Sequence, residues 1–239
     1  MKTINYLLGY SDLKIYQDTD MFNFSLDSIL LPNFVTLNIK VKNILDIGCG
    51  NAVIPLILSK KTNAQITGVE IQKEVYNLAK ESIDYNHLNQ QIKIFNQDIC
   101  DFSSKVESDT FDVITCNPPF FKLAEQSHLN DSPYKIIARH EVKLNLEILF
   151  SIAKKLLKNN GVIAIVHRPE RLVEIIQIMK KYNIEPKKIQ FVYPRKNQAS
   201  NILLIEGSKN GNPGLKILPP LYTHEEDGSY TKEVQTYFS

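Results

Sequence analysis

The sequence has no tryptophan, only three cysteines and only four arginines among its 239 residues. Cys49, Cys100 and Cys116 lie far apart, match no zinc-ligand spacing and are odd in number. That excludes a disulfide scaffold, fits reduced thiols, and leaves no metal site to expect. Long apolar runs are also missing. None approaches the roughly 20 residues that a membrane-spanning helix needs. Met1 to Tyr10 carries one lysine and a short Tyr-Leu-Leu run ended by Gly9, unlike a secretory leader, so a cytoplasmic location is expected. Charge of one sign is not in large excess: the formal net charge is +2, which neither requires nor forbids a nucleic-acid partner. Repeats, low-complexity tracts and linkers are absent too. The lysine excess, with the many Asn and Ile, reads as coding bias. The retained arginines, Arg139, Arg168, Arg171 and Arg195, therefore carry information.

What is present is a globular composition, 43% hydrophobic and 23% charged. Short apolar runs alternate with helical periodicity from residue 43 to about residue 206, which predicts a parallel α/β sheet. Strands are expected at Asn43–Ile47, Gln65–Glu70, Ile92–Gln97, Phe111–Cys116, Gly161–His167, Lys188–Tyr193 and Ile202–Glu206. Helices are expected at Ala52–Lys61, Lys73–Asn86, Leu144–Leu157 and Glu170–Tyr182. The last two strands have no helix between them, so an antiparallel pair at the sheet edge is expected. Ser25–Leu37 reads as an amphipathic helix with Ser25 or Asp27 near its cap. The polar stretch from Phe121 to Val142 is long enough to suggest function. One domain over 1–239 is expected: an N-terminal cap segment (1–42), a core (43–207) and a C-terminal tail (208–239).

Leu45-Asp46-Ile47-Gly48-Cys49-Gly50 falls where the first of these strands meets its helix. Ligands bind at that edge of a doubly wound sheet. Gly48 and Gly50 let the backbone turn tightly and approach a ligand. A dinucleotide site would want a third glycine at position 53, where this chain has Val53. Asp46 would repel phosphate but suits a cofactor bearing an ammonium and a sulfonium. Glu70 ends the second strand, placed to accept two ribose hydroxyls. Asp98 ends the third, placed to accept from an adenine amino group between the apolar walls of Ile71 and Ile99.

Asn117-Pro118-Pro119-Phe120 follows the fourth strand directly. Two prolines stop the strand and keep the Pro118 carbonyl out of a ladder. Asn117 offers a side-chain carbonyl and Pro118 a main-chain carbonyl, which together can accept both hydrogens of a planar amino group. Phe120 can stack on the attached ring. The lone pair of an aromatic amine is delocalised and poorly nucleophilic. Two fixed acceptors stabilise the cationic nitrogen that forms as a methyl group arrives, without a strong base.

Asp46-x-Gly-x-Gly with Asn117-Pro-Pro-Phe120 resembles the class I amino methyltransferases, and more narrowly the bacterial tRNA(Val) adenine-37 N(6)-methyltransferases. Asn23-Phe-Ser-Leu-Asp27-Ser-Ile-Leu-Leu31 is similar to that family's Phe-x-x-Asp-x-x-Leu-Leu segment, which implies Phe24 and Asp27 beside the methionine end of the cofactor. Ala138-Arg-His-Glu141 resembles a loop element, read either as an ion-paired helix start or as an RNA contact through Arg139 and His140. Gly228-Ser-Tyr-Thr231 resembles the family's tail. Where the family often has arginine before the last strand, this chain has Asn201. The resemblance implies a Rossmann-like fold, a seven-stranded mostly parallel sheet with the last strand antiparallel and helices on both faces. It also implies S-adenosyl-L-methionine as cofactor and tRNA as substrate, with no obligate protein partner evident.

Three other readings compete. Protein glutamine methyltransferases share Asn-Pro-Pro but usually with Tyr in place of Phe120, and they carry a separate N-terminal helical domain. Ribosomal RNA guanine-amino methyltransferases commonly have a duplicated domain. An RNA-binding module that keeps the fold alone would have no use for Asp46, Glu70, Asp98 and Asn117 together. RNA contact is expected from Arg139, Arg168, Arg195 and Lys196, with Lys187 and Lys188 completing a basic rim. His167 and His224 are expected to be structural.

Overall fold

A computed structural model describes residues 1–7, 10–18, 25–118 and 144–238. The chain opens with a hairpin, β1 (Lys2–Leu7) and β2 (Tyr10–Asp18), followed by α1 (Asp27–Phe34). Alternation then begins: β3 (Asn43–Ile47), α2 (Val53–Lys61), β4 (Gln65–Glu70), α3 (Lys73–Tyr85), β5 (Ile92–Asn96), α4 (Ile99–Lys105) and β6 (Phe111–Cys116). From residue 144 on come α5 (Leu146–Leu156), β7 (Leu157–His167), a 3-10 turn at Pro169–Arg171, α6 (Leu172–Lys181), β8 (Ile184–Tyr193) and β9 (Ile202–Lys209). The tail adds β10 (Lys216–Ile217), β11 (Leu221–Tyr222) and α7 (Lys232–Gln235).

The main sheet runs β10-β8-β9-β7-β6-β3-β4-β5, with β11 also on β8. All seven expected strands are present, and β9 alone among them runs antiparallel, against both β7 and β8. The expected pair therefore exists, but β9 lies between β7 and β8, and β8 itself is followed by β10 and β11 at the edge. Strand order reverses between β3 and β6, whose ends pair Asp46 with Thr115 and Ile47 with Cys116. A crevice opens at such a switch point because the connections leave on opposite faces.

The central strands are buried on both sides, and their side chains alternate between two cores. Ile44 faces α1, α2 and α3 through Leu30, Leu31, Leu56, Ile57 and Ala79. Leu45 and Ile47 face α4, α5 and α6 through Phe102, Leu149, Phe150 and Ile175. Helices on both faces thus agree with the expected fold. Among the described residues, no helix is long and apolar enough to cross a membrane.

Two expectations for α1 need correction. No side chain caps it; the amide of Ser28 reaches the carbonyl of Ser25 and that of Ile29 the carbonyl of Leu26 instead. Nor is it amphipathic: Ile29, Leu30, Leu31, Pro32 and Phe34 are all buried, because α1 sits against α2, β7 and β9 at once. Its C-terminal end is anchored by a buried ion pair. Glu206 accepts from the Thr36 amide at 2.6 Å and the Thr36 hydroxyl at 2.7 Å, and Lys188 approaches to 3.3 Å. Replacing Glu206 with glutamine removes the charge but not the shape. We expect a loss of about 1.5–3 kcal/mol, the range for hydrogen bonds to charged groups. Denaturant unfolding measures it, and an unchanged midpoint would mean that the pair contributes nothing.

The hairpin, α4 and the tail elements were not expected. In β2 only Leu13 and Ile15 supply inward apolar positions, too few to mark a strand. The free edge of β2 is covered by α3: Ser82 Oγ accepts from the Tyr16 amide, and Asn86 bonds both the amide and the carbonyl of Lys14.

Candidate active site

The loop after β3 makes two left-handed turns. Gly48 has φ +67° and Gly50 φ +57°, and a methyl group placed on either would meet nothing within 4 Å. Both glycines are therefore set by backbone conformation and border open space. The amides of Gly48 and Cys49 are tied to the Val69 carbonyl at 2.9 and 3.1 Å. Gly68 packs tightly behind the loop; an added methyl would lie 2.8 Å from the Cys49 sulfur. Ala52, also left-handed at φ +72°, leads into α2.

Asp46 is fully buried. Its Oδ1 accepts from the Thr115 hydroxyl at 2.6 Å across the β3–β6 switch. Its Oδ2 is the one buried side-chain oxygen or nitrogen without a hydrogen bond among the described residues. Burial pushes its carboxyl up to about 7, with the Thr115 bond opposing and the charge of Glu70 adding. The neighbouring thiols of Cys49 and Cys116 are likewise raised, chiefly by burial. Two buried carboxyl groups of this kind disfavour phosphate and favour a cation beside them.

A carboxyl raised in this way stays protonated in the folded protein between about pH 4 and 7, while the unfolded chain ionises. Without a bound ligand, the protein is therefore expected to lose stability across that window relative to Asp46→Asn. The difference between the two should be flat outside it. Urea unfolding at stepped pH checks this; parallel pH profiles for the two proteins would contradict it.

Glu70 is buried at the end of β4. Its two oxygens accept from the amides of Gly50 at 3.0 Å and Gln72 at 2.8 Å. Burial raises its pKa and these bonds oppose it. A carboxylate has about four acceptor sites, so two remain for ligand hydroxyls. Asn96, unremarked in the sequence, clamps the carbonyls of Glu70 and Ile71 at 2.9 and 3.1 Å. Asp98 caps α4 by accepting from the Cys100 amide at 2.8 Å. Ile99 is buried and Ile71 half-buried on either side. Asp46, Gly48, Gly50, Glu70, Ile71, Asp98 and Ile99 are thus brought to the ends of three adjacent strands.

Asn117 and Pro118 leave β6 beside this loop. The Asn117 amide nitrogen donates to Ser28 Oγ at 3.0 Å, which turns its carbonyl oxygen away from α1. Ser28 is 89 residues away in sequence, and only the fold reveals the pairing. Asp27, one residue earlier, is half-buried; burial raises its carboxyl, opposed by the Ser25 hydroxyl and the charge of Arg168. Phe24, Phe120, Arg139 and His140 lie outside the described residues.

The basic rim is smaller than expected. Arg168 turns to the Asn201 carbonyl at 3.0 Å and acts on Asp27. Arg195 and Lys196 are exposed after β8, with Arg195 next to Asp227 and Gly228. Lys187 and Lys188 do not join them. They occupy the first half of β8, toward the opposite edge, where Lys187 bonds the Asn212 carbonyl and Lys188 the Phe34 carbonyl. His167 is buried, its pKa lowered to about 4 chiefly by burial, and its Nδ1 accepts from the Arg168 amide. His224 stacks on Tyr230 at 4.8 Å.

The profile of the methyltransferase small domain family matches residues 26–191. The chain is 25% identical over 205 residues to a Flavobacterium psychrophilum protein named tRNA1(Val) (adenine(37)-N6)-methyltransferase, covering 85% of this chain and 86% of that one. A Flavobacterium johnsoniae protein of the same name is 28% identical, covering 77% of each. Among solved structures, a predicted O-methyltransferase from Agrobacterium tumefaciens superposes with a TM-score of 0.69 at 19% identity, covering 89% of this chain and 95% of that one. At that identity the likeness concerns the fold.

Proposed function

The chain belongs to the methyltransferase small domain family, and from that premise we propose that it methylates N6 of adenosine 37 in tRNA1(Val). S-adenosyl-L-methionine is the methyl donor; when bound, it supplies an electrophilic methyl group on a sulfonium centre. The observation that carries the cofactor assignment is the fully buried Asp46, with an oxygen that no described protein group satisfies. Open space at Gly48 and Gly50, and the lack of a cationic partner for Asp46 and Glu70 among the described residues, fit a ligand carrying positive charge.

Glu70 accepts the ribose hydroxyls with the lone pairs its two amide bonds leave. Asp98 accepts from the adenine amino group of the cofactor, between Ile71 and Ile99. The family resemblance assigns Phe24 and Asp27 to its methionine end. Asn117 Oδ1 and the Pro118 carbonyl accept the two N6 hydrogens of the target adenine, and Phe120 stacks on its ring. The target base must leave its stack to reach them. Ser28 is a positioning residue, because its hydroxyl holds the amide half of Asn117. Arg195, Lys196 and Arg168, with Arg139 and His140, meet the RNA backbone and set its register.

Mass spectrometry of tRNA nucleosides from cells with and without this gene tests the assignment. Loss of one N6-methyladenosine per tRNA1(Val) is expected in the deletion strain. An unchanged tRNA profile with loss of methylguanosine in ribosomal RNA would transfer the assignment to the guanine-amino class.

A further inference from the structure

Apolar exposure on this molecule is uneven. Of the nine large hydrophobic side chains exposed among the described residues, Ile4, Tyr6 and Tyr85 belong to one face, shared by the hairpin and the end of α3. Strand alternation explains how they are displayed. Lys2, Ile4 and Tyr6 of β1 stand opposite Asp18, Tyr16 and Lys14 of β2. The other face of the same ribbon buries Leu7, Leu13 and Ile15 in the core. The outward face is bordered by α3, which contributes Tyr85 and Glu81.

On that face the aromatic rings and ammonium groups interleave. Lys14 Nζ lies 4.9 Å from the Tyr6 ring centre and 5.2 Å from that of Tyr85, and it donates to the Tyr85 hydroxyl at 3.0 Å. Tyr16 meets Tyr85 edge to face at 6.1 Å, and Lys2 sits 4.6 Å from the Tyr16 ring centre. The nearby carboxylates are already neutralised: Asp18 by the chain's amino terminus, Glu81 by Lys2 and Asp12 by Lys60. Lys14 is bonded to a phenol and no described carboxylate, so its charge is uncompensated. Tyr6 is 62% exposed and Tyr85 45%, which leaves ring surface open beside that charge.

We propose that this face is a second RNA-contact surface, on which unpaired bases of the tRNA stack against Tyr6 and Tyr85 while Lys14 meets a phosphate. Rings beside an uncompensated ammonium group suit a single-stranded nucleic acid, whose bases all offer a π-face and whose backbone is anionic. A protein or lipid partner would be expected to meet aliphatic side chains, and among the described residues of this face only Ile4 is an exposed one. Position favours the same partner. The Tyr16 carbonyl accepts from Asn51 at 3.3 Å, so the hairpin abuts the loop that follows Gly50. Tyr16 in turn packs on Tyr85 at 6.1 Å, so the aromatic face lies close to that loop, within the span of one nucleic-acid arm.

The proposal rests on the tRNA reading, and the test separates the two. Affinity for unmodified tRNA1(Val) is measured at several salt concentrations, alongside S-adenosylhomocysteine affinity and the unfolding midpoint. Tyr6→Ala and Tyr85→Ala are each expected to weaken tRNA binding about fivefold or more, with cofactor affinity unchanged. Tyr6→Phe keeps the ring and should bind as wild type. Lys14→Ala should weaken binding and reduce the salt slope by about one phosphate contact. Tyr6 is the cleaner site, because Tyr85 also packs on Tyr16. Wild-type affinity in both alanine variants, with wild-type tRNA binding intact, would overturn the surface and leave the tRNA reading standing. If the wild-type protein itself does not bind tRNA, both fall.

Discussion

Asn117→Ala should bind S-adenosylhomocysteine as the wild type does and transfer methyl groups about 10²–10³-fold more slowly, the usual effect of deleting one preorganised electrostatic partner. The geometry explains why the two effects separate. Asn117 does not belong to the glycine loop or to the ends of β4 and β5, where most of the residues proposed to hold the cofactor gather. Its amide is held by Ser28 at 3.0 Å, so the carbonyl oxygen is fixed before substrate arrives. A fixed acceptor matters most once positive charge has developed on the target nitrogen, so the loss belongs to turnover at saturating substrate. Single-turnover methylation of tRNA measures it. Turnover near wild type would remove Asn117 from the reaction.

Glu70→Ala should act on the other side of the same division. Its carboxylate holds the Gly50 and Gln72 amides, and its remaining lone pairs are assigned to the ribose. Losing two charge-assisted hydrogen bonds is expected to weaken cofactor binding about 100-fold or more. Part of that loss will come from the loop, because Gly50 is held in its left-handed turn by Glu70. A ligand lacking the ribose hydroxyls separates the two contributions. It should lose only the loop share. Isothermal titration with S-adenosylhomocysteine and its 2′,3′-dideoxy analogue resolves them; equal losses for both ligands would remove the ribose role.

The main sheet and the groups at its carboxyl edge were legible because they depend on short-range pattern. Buried strands such as Asn43–Ile47 must be apolar on both faces, and Asp46 stands out against that run. Asn117 was legible for a similar reason, since two prolines after a strand leave few other uses for the side chain. Partners contributed from afar were not legible. Ser28 meets Asn117, and Thr115 meets Asp46, only because α1 and β6 pack beside the switch point. The misplaced lysines trace to strand direction: Lys187 and Lys188 lie in the first half of β8, whereas Arg195 and Lys196 follow its carboxyl end, so the strand itself separates the two pairs. The hairpin escaped notice because its outward face is aromatic and basic and its inward face offers only a few apolar positions.

The central claim is tested most directly by methylating a transcript. Purified protein, S-adenosyl-L-methionine and unmodified tRNA1(Val) are incubated, and the RNA is cut with ribonuclease and read by mass spectrometry. The account predicts one methyl group, on N6 of adenosine 37, and none on a transcript carrying guanosine at that position. Methylation of another nucleoside, or equal methylation of the substituted transcript, would contradict it.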